Sequence, residues 1–267
     1  LTKCVTAALA LSSVAAFAAN EKNYTYLALG DSVAYGFDPT IANPTPEKFV
    51  GYPEIVAEVK SKRLKNAACP GQSSKSFLAG GFDVGCEEFR QAVGLHVPYT
   101  GTQVNFAVSE LLSNKKIDLV SVSIGGNDLS LLQAQCAGPT FALCVEAGLS
   151  AVLYQYGQNL TQILISLRSQ GKYNGKLVLV KYYSPSADPL FQQAVVALNL
   201  VMTTVGAQFG ARFADGFLAF YFASVPNGGD PCAAGLLIRL SPTVCDIHPS
   251  PRGRNLLAAA VLFATYQ

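Results

Sequence analysis

The chain has 267 residues, half of them hydrophobic and 13% charged, with a formal net charge of +2. That length suits one medium domain with a sizeable core. The near-neutral balance, with no basic stripe interleaved with aromatics, gives a nucleic-acid partner no electrostatic support, and no charged block marks an interaction tail.

The first stretch, "LTKCVTAALALSSVAAFAAN", differs in composition from the rest. One Lys precedes a small apolar run from Val5 to Ala18, and Ala16-Phe17-Ala18 has the A-x-A form of a cleavage site. This is the pattern of a secretory signal peptide and is short for a membrane span. Residues 1–19 are therefore expected to be a leader and 20–267 the mature domain. That domain is expected to be extracellular, to lack an integral membrane span, and to be monomeric, the default for a secreted protein of this size. Two sequons agree with that route, at Asn23 and Asn159; Asn43-Pro44-Thr45 is excluded by its proline.

Secretion changes how the cysteines are read. Without Cys4, six remain: Cys69, Cys86, Cys136, Cys144, Cys232 and Cys245. An even number in an oxidising compartment favours disulfides over metal ligands. They fall into three sequence-local pairs, so bridges 69–86, 136–144 and 232–245 are expected among the possible connectivities. No C-x-x-C is present, which speaks against zinc or thioredoxin chemistry.

Along the chain, "YTYLALG" (24–30) is an apolar strand stopped by glycine. Helical spacing over 52–65 predicts an amphipathic helix, and 104–116 a second one closing on lysines. "IDLVSVSIGGND" (117–128) and "GKLVLVKYYSP" (175–185) predict buried strands, 188–209 a helix and 210–215 a short last strand. Ser250-Pro251 has the form of an N-cap followed by proline at the first helical position. Residues 66–100, 129–150 and 222–247 are expected as long connections, each pinned by one cysteine pair. Apolar strands joined by helices predict a three-layer α/β/α sandwich around a central parallel sheet, flavodoxin-like in class.

In such folds ligands bind beyond the C-terminal ends of the strands. Those ends carry Gly30-Asp31-Ser32, Gly125-Gly126-Asn127-Asp128 and Ser184-Pro185. A serine nucleophile needs a base, and the chain has two histidines. His96 lies in an apolar loop context that favours a packed structural role. His248 directly precedes a helix start and has a carboxylate, Asp246, two residues earlier. Asp31 and Asp128 each follow a glycine-terminated strand, where capping of the next turn is the expected role. The G-x-S-x-G elbow, H-E-x-x-H, the Walker loop and G-x-G-x-x-G are all absent.

Gly30-Asp31-Ser32, "NAACPGQSS" (66–74), "IGGND" (124–128) and "DIHP" (246–249) occur in the order of the four blocks of SGNH hydrolases, the GDSL esterases and lipases. The chain resembles that family over residues 26 to about 260, and its cysteines are most similar to the secreted, disulfide-containing branch. The resemblance implies the SGNH hydrolase fold. It also implies an esterase that forms an acyl-enzyme on Ser32, with His248 as base and no metal or cofactor. The oxyanion donors would be the backbone N–H groups of Ser32 and Gly71 and the side-chain amide of Asn127. One departure stands out. The family's acid sits three residues before the histidine, where this chain has Cys245. Asp246, a backbone carbonyl near 244–246, or Asp215 are the candidates to orient His248, and Asp246 is preferred. Lipid or other acyl esters are the expected substrates. A carbohydrate acetylesterase on the same fold is the first alternative, and a secreted binding protein with a decayed site the second.

Overall fold

The computed structural model describes residues 24–81 and 85–266. The leader expected at residues 1–19, with Cys4, and the sequon at Asn23 lie outside the described residues. Chain order runs β1 (Thr25–Gly30), α1 (Ser32–Tyr35), α2 (Tyr52–Val59), β2 (Arg63–Asn66), α3 (Ser74–Ala79), α4 (Cys86–Ala92), α5 (Gln103–Ser113), β3 (Ile117–Ser123) and α6 (Gly126–Gln135). It continues through α7 (Phe141–Ile165), β4 (Lys176–Lys181), α8 (Pro189–Gln208), β5 (Arg212–Asp215), α9 (Gly216–Ser224), β6 (Leu237–Arg239), β7 (Cys245–Pro249) and α10 (Pro251–Ala264).

Among the described residues β1 to β5 form one parallel sheet in the order β2-β1-β3-β4-β5, and β6 and β7 form a separate antiparallel ribbon. Every residue of β1 is buried, as are Leu119 to Ser123 of β3 and Leu177 to Val180 of β4. Apolar side chains on both faces demand helices on both sides. Helices α2 and α10 pack together, with α9 against α10; α5, α7 and α8 belong to the other layer, with α3 and α6 against α7. The three-layer α/β/α class is as expected.

Two expectations are corrected. The helix expected over 52–65 ends at Val59, and Arg63–Asn66 is the edge strand β2. Four residues with two charges carry no period-2 pattern, and charges on an edge strand guard it against pairing with another chain. Residues 129–150, expected as a connection, are mostly helix: the end of α6 and the first turns of α7. The 25-residue α7 buries Tyr156, Asn159, Leu160, Ile163 and Leu164 on one stripe.

That stripe also removes one glycosylation candidate. Asn159 is 9% exposed, its amide nitrogen donates to Ser74 Oγ at 2.9 Å, and its oxygen accepts from Gln155. A buried asparagine committed to helix packing has no room for a glycan.

Helix α8 is long and apolar enough to cross a membrane by length and composition alone. It packs on β4 and α7 with Leu198 and Met202 buried, while Val196 and Leu200 are exposed. All three sequence-local disulfides are present. Cys69–Cys86 pins the turn after β2, Cys136–Cys144 joins α6 to α7, and Cys232–Cys245 ties the loop after α9 to the start of β7.

Candidate active site

At the C-terminal end of β1, Gly30 adopts φ +133° and lies flat against β3, where a Cβ would stand 2.0 Å from the Ser123 carbonyl oxygen. Only glycine allows this approach. The buried amide of Gln103 substitutes for a strand partner there: its oxygen accepts from Gly30 N–H at 2.6 Å and its nitrogen donates to the Gly30 carbonyl at 2.9 Å. Asp31 then caps α1, its Oδ1 accepting from Val33 N–H at 3.0 Å, so that Ser32 is the first helical residue.

Ser32 and His248, 216 residues apart, meet at 2.8 Å between Oγ and Nε2. On the other side of the imidazole, Nδ1 bonds Asp246 Oδ1, which also accepts the His248 backbone N–H at 2.9 Å. At the Asp-x-His spacing of this chain the acid still reaches the ring. The carboxylate folds back over an extended dipeptide and takes both donors of the histidine two residues on, a closed Asx-type turn. Asp215 is elsewhere engaged, capping α9 through Leu218 N–H and pairing with Lys181 Nζ at 2.8 Å. Burial works against the charge on Asp246, but the bonds and charge of His248 outweigh it and hold the carboxyl below its ordinary range. Phe37 stands edge-on to the His248 ring, with ring centres 4.9 Å apart.

Gly71 sits in a turn with Pro70 at the second position and Gly71, at φ +80°, in the third, closed by Gln72 N–H to the Cys69 carbonyl at 3.1 Å. Pro-Gly at these positions is the signature of a type II turn. Cys69 N–H donates to the Gly30 carbonyl at 3.0 Å, so this turn lies beside the Gly30-Asp31-Ser32 segment. Asn127, in the first turn of α6, donates one amide proton to the Gln72 carbonyl at 3.0 Å. The four sequence blocks converge at one end of the sheet.

Asp31 is 1% exposed, and burial pushes its carboxyl up to about 7, opposed by hydrogen bonds from Tyr182 and Val33. Its capping role is as expected. Asp128 serves differently from expectation: it accepts the Ser74 N–H at 2.9 Å, tying α6 to the start of α3. His96 is structural, with Nε2 3.0 Å from the Tyr35 carbonyl and its ring against Tyr35.

Beside Ser32 opens a cleft that reaches out to solvent. Its walls are mainly apolar, with Leu129 from α6, Phe191, Ala194, Val195 and Leu198 from α8, and Ile247 at the rim beside His248. Asn199, also on α8, is a residue that sequence reasoning missed. Its oxygen accepts from Tyr182 N–H at 2.9 Å and its nitrogen donates to the Tyr182 carbonyl at 2.8 Å, ending β4 as Gln103 ends β1. A buried amide within an otherwise apolar helix face was the available signal for both.

A family model, that of the GDSL-like lipase/acylhydrolase family, matches residues 28–256. The chain belongs to this family of hydrolases. No curated protein sequence matches it. Among solved structures, it is similar to phospholipase A1 from Streptomyces albidoflavus NA297, at 16% identity over 91% of this chain and 99% of that one, with a TM-score of 0.61. An extracellular lipase from Streptomyces rimosus matches at 18% identity over 90% and 99%, also at 0.61. An acetylxylan esterase from Geobacillus stearothermophilus matches at 17% identity over 91% and 94%, at 0.55. At these identities the likeness speaks for the fold.

Proposed function

We propose that this chain is a serine esterase that hydrolyses carboxylic esters with acyl chains longer than acetyl. The observation that carries the reading is the continuous Ser32–His248–Asp246 connection at the mouth of an apolar cleft. Ser32 Oγ attacks the ester carbonyl carbon while its proton passes to His248 Nε2. The carbonyl oxygen becomes an oxyanion facing the N–H groups of Ser32 and Gly71 and the Asn127 amide, whose second proton is not used by Gln72. The tetrahedral species collapses, the C–O bond to the alcohol breaks, and the alcohol leaves with the proton from Nε2. Water then attacks the acyl-enzyme, gives its proton to Nε2, and Ser32 recovers it as the acid departs. Asp246 holds the imidazole in the required tautomer and stabilises the imidazolium. A complete set of groups argues against a decayed binding protein.

The apolar walls favour an acyl chain over a lone acetyl group. Ala194→Phe places a ring where the chain would lie, and is expected to lower kcat/KM for p-nitrophenyl octanoate by about tenfold or more, leaving the acetate little changed. The test is a chain-length series from acetate to palmitate, set beside release of acetate from acetylated xylan. Rates highest on acetyl esters, or activity confined to the polymer, would replace this reading with that of a carbohydrate acetylesterase.

Extracellular localisation belongs to the same proposal. Bridging of all six cysteines from Cys69 to Cys245 supports an oxidising compartment. With Asn159 buried, Asn23 is the remaining glycosylation candidate, following the proposed leader at residues 1–19.

A further inference from the structure

Two consecutive tyrosines follow the end of β4, and their hydroxyls reach different halves of the site. Neighbouring side chains on an extended segment project to opposite sides. The Tyr182 hydroxyl donates to Asp31 Oδ2, while Asp31 Oδ1 holds the Val33 N–H, so one carboxyl braces the residues before and after Ser32. The Tyr183 hydroxyl donates to the Ile247 carbonyl at 2.7 Å, the residue between Asp246 and His248. Both tyrosines are buried and anchored. Asn199 grips the Tyr182 backbone on two atoms, and the Tyr183 ring stacks on Phe220 with ring centres 4.1 Å apart.

We propose that Tyr182 and Tyr183 together are positioning residues that set the distance between Ser32 and His248. This rests on reading those two as nucleophile and base. The need for such a device follows from the topology. Ser32 hangs from β1 in the main sheet, whereas His248 lies on β7, which among the described residues pairs with β6 in a separate ribbon. A two-stranded ribbon is marginal by itself; Arg254 holds the Pro249 carbonyl from the α10 side, but among the described residues no ladder hydrogen bond of the main sheet fixes the ribbon's height over Ser32. The compact Asp-Ile-His segment closes on itself through Asp246, which orients the ring but not the segment as a whole. Tyr183 supplies the missing tie to β4, and Tyr182 ties the nucleophile turn to the same strand end. The two loops therefore share one reference point.

The pair also lines the cleft, so a simple substrate-contact role must be told apart. Phenylalanine at either position keeps the ring and its packing and removes only the hydroxyl. Tyr183→Phe and Tyr182→Phe are each expected to lower kcat for a p-nitrophenyl ester by about tenfold or more, since small misplacements of reacting groups cost that much. KM should stay at the wild-type value, and phosphorylation of Ser32 by diethyl p-nitrophenyl phosphate should slow in parallel with kcat. In proton NMR, the downfield Nδ1 proton shared by His248 and Asp246 should broaden in Tyr183→Phe and persist in Tyr182→Phe. Tyr183→Phe keeps the ring stacked on Phe220 and should fold even if Tyr182→Phe does not. A changed KM with unchanged kcat, or kcat and inactivation rate both unchanged in a folded Tyr183→Phe, would overturn the proposal. Ser32→Ala is measured alongside. If it retains full activity, the reading of Ser32 as nucleophile has failed; if it is inactive while Tyr183→Phe matches wild type, only the positioning role has failed.

Discussion

Replacing Ser32 or His248 by alanine is expected to lower kcat by about a millionfold, and replacing both to lower it hardly further. The two atoms stand 2.8 Å apart, and in the proposed mechanism they share one proton transfer, so removing either removes the step. Neither change should unfold the chain. Ser32 is held by its backbone in a turn that Gly30, Gln103 and Asp31 fix, and His248 keeps its strand pairing and its neighbouring disulfide. Steady-state hydrolysis of a p-nitrophenyl ester, with thermal unfolding to verify the fold, measures the effect. A loss near tenfold for Ser32→Ala would exclude it as the nucleophile.

Asp246→Ala is the second large effect, expected at about ten-thousandfold in kcat. The structure gives the carboxylate both donors of His248, the ring Nδ1 and the backbone N–H. Its loss frees the tautomer and leaves the imidazolium without a counter-charge. Because His248 holds Asp246 below the ordinary carboxylate range, the acid is charged throughout the neutral range in which an esterase would be assayed. Asp215→Ala is the paired control and should leave kcat at the wild-type level, since Asp215 serves Lys181 and the start of α9. Comparable losses in the two variants would contradict the assignment.

Much of this arrangement was legible in the sequence because it rests on local chemistry. Apolar runs that stop at Gly30 and at Gly125-Gly126 announce buried strands whose ends meet a site. Three cysteine pairs close short loops, and Ser250-Pro251 starts α10 with its side chain on Gly253 N–H, as capping chemistry requires. The failures also have physical causes. Arg63–Asn66 is too short and too charged to show a strand pattern, so it passed for the tail of a helix. The turn between α6 and α7 holds Gly138 and Pro139, with Cys136 before it and Cys144 just after it, which suggested a connection, and the clearest apolar stripe of α7 begins only at Tyr156. Asp246 could be named as a candidate, but the direction of a side chain two residues from His248 depends on backbone angles that spacing does not supply. The hydroxyls of Tyr182 and Tyr183 act across 151 and 64 residues, and no local pattern encodes such contacts.

The central claim is that Ser32 becomes covalently acylated because His248 activates it. The most direct measurement is to incubate the folded protein with diethyl p-nitrophenyl phosphate and map the modified peptide by mass spectrometry. One diethylphosphoryl group on Ser32, acquired as ester hydrolysis is lost and absent from His248→Ala, is the predicted result. Complete inactivation with the label on another residue, or full hydrolytic activity in protein labelled at Ser32, would contradict it.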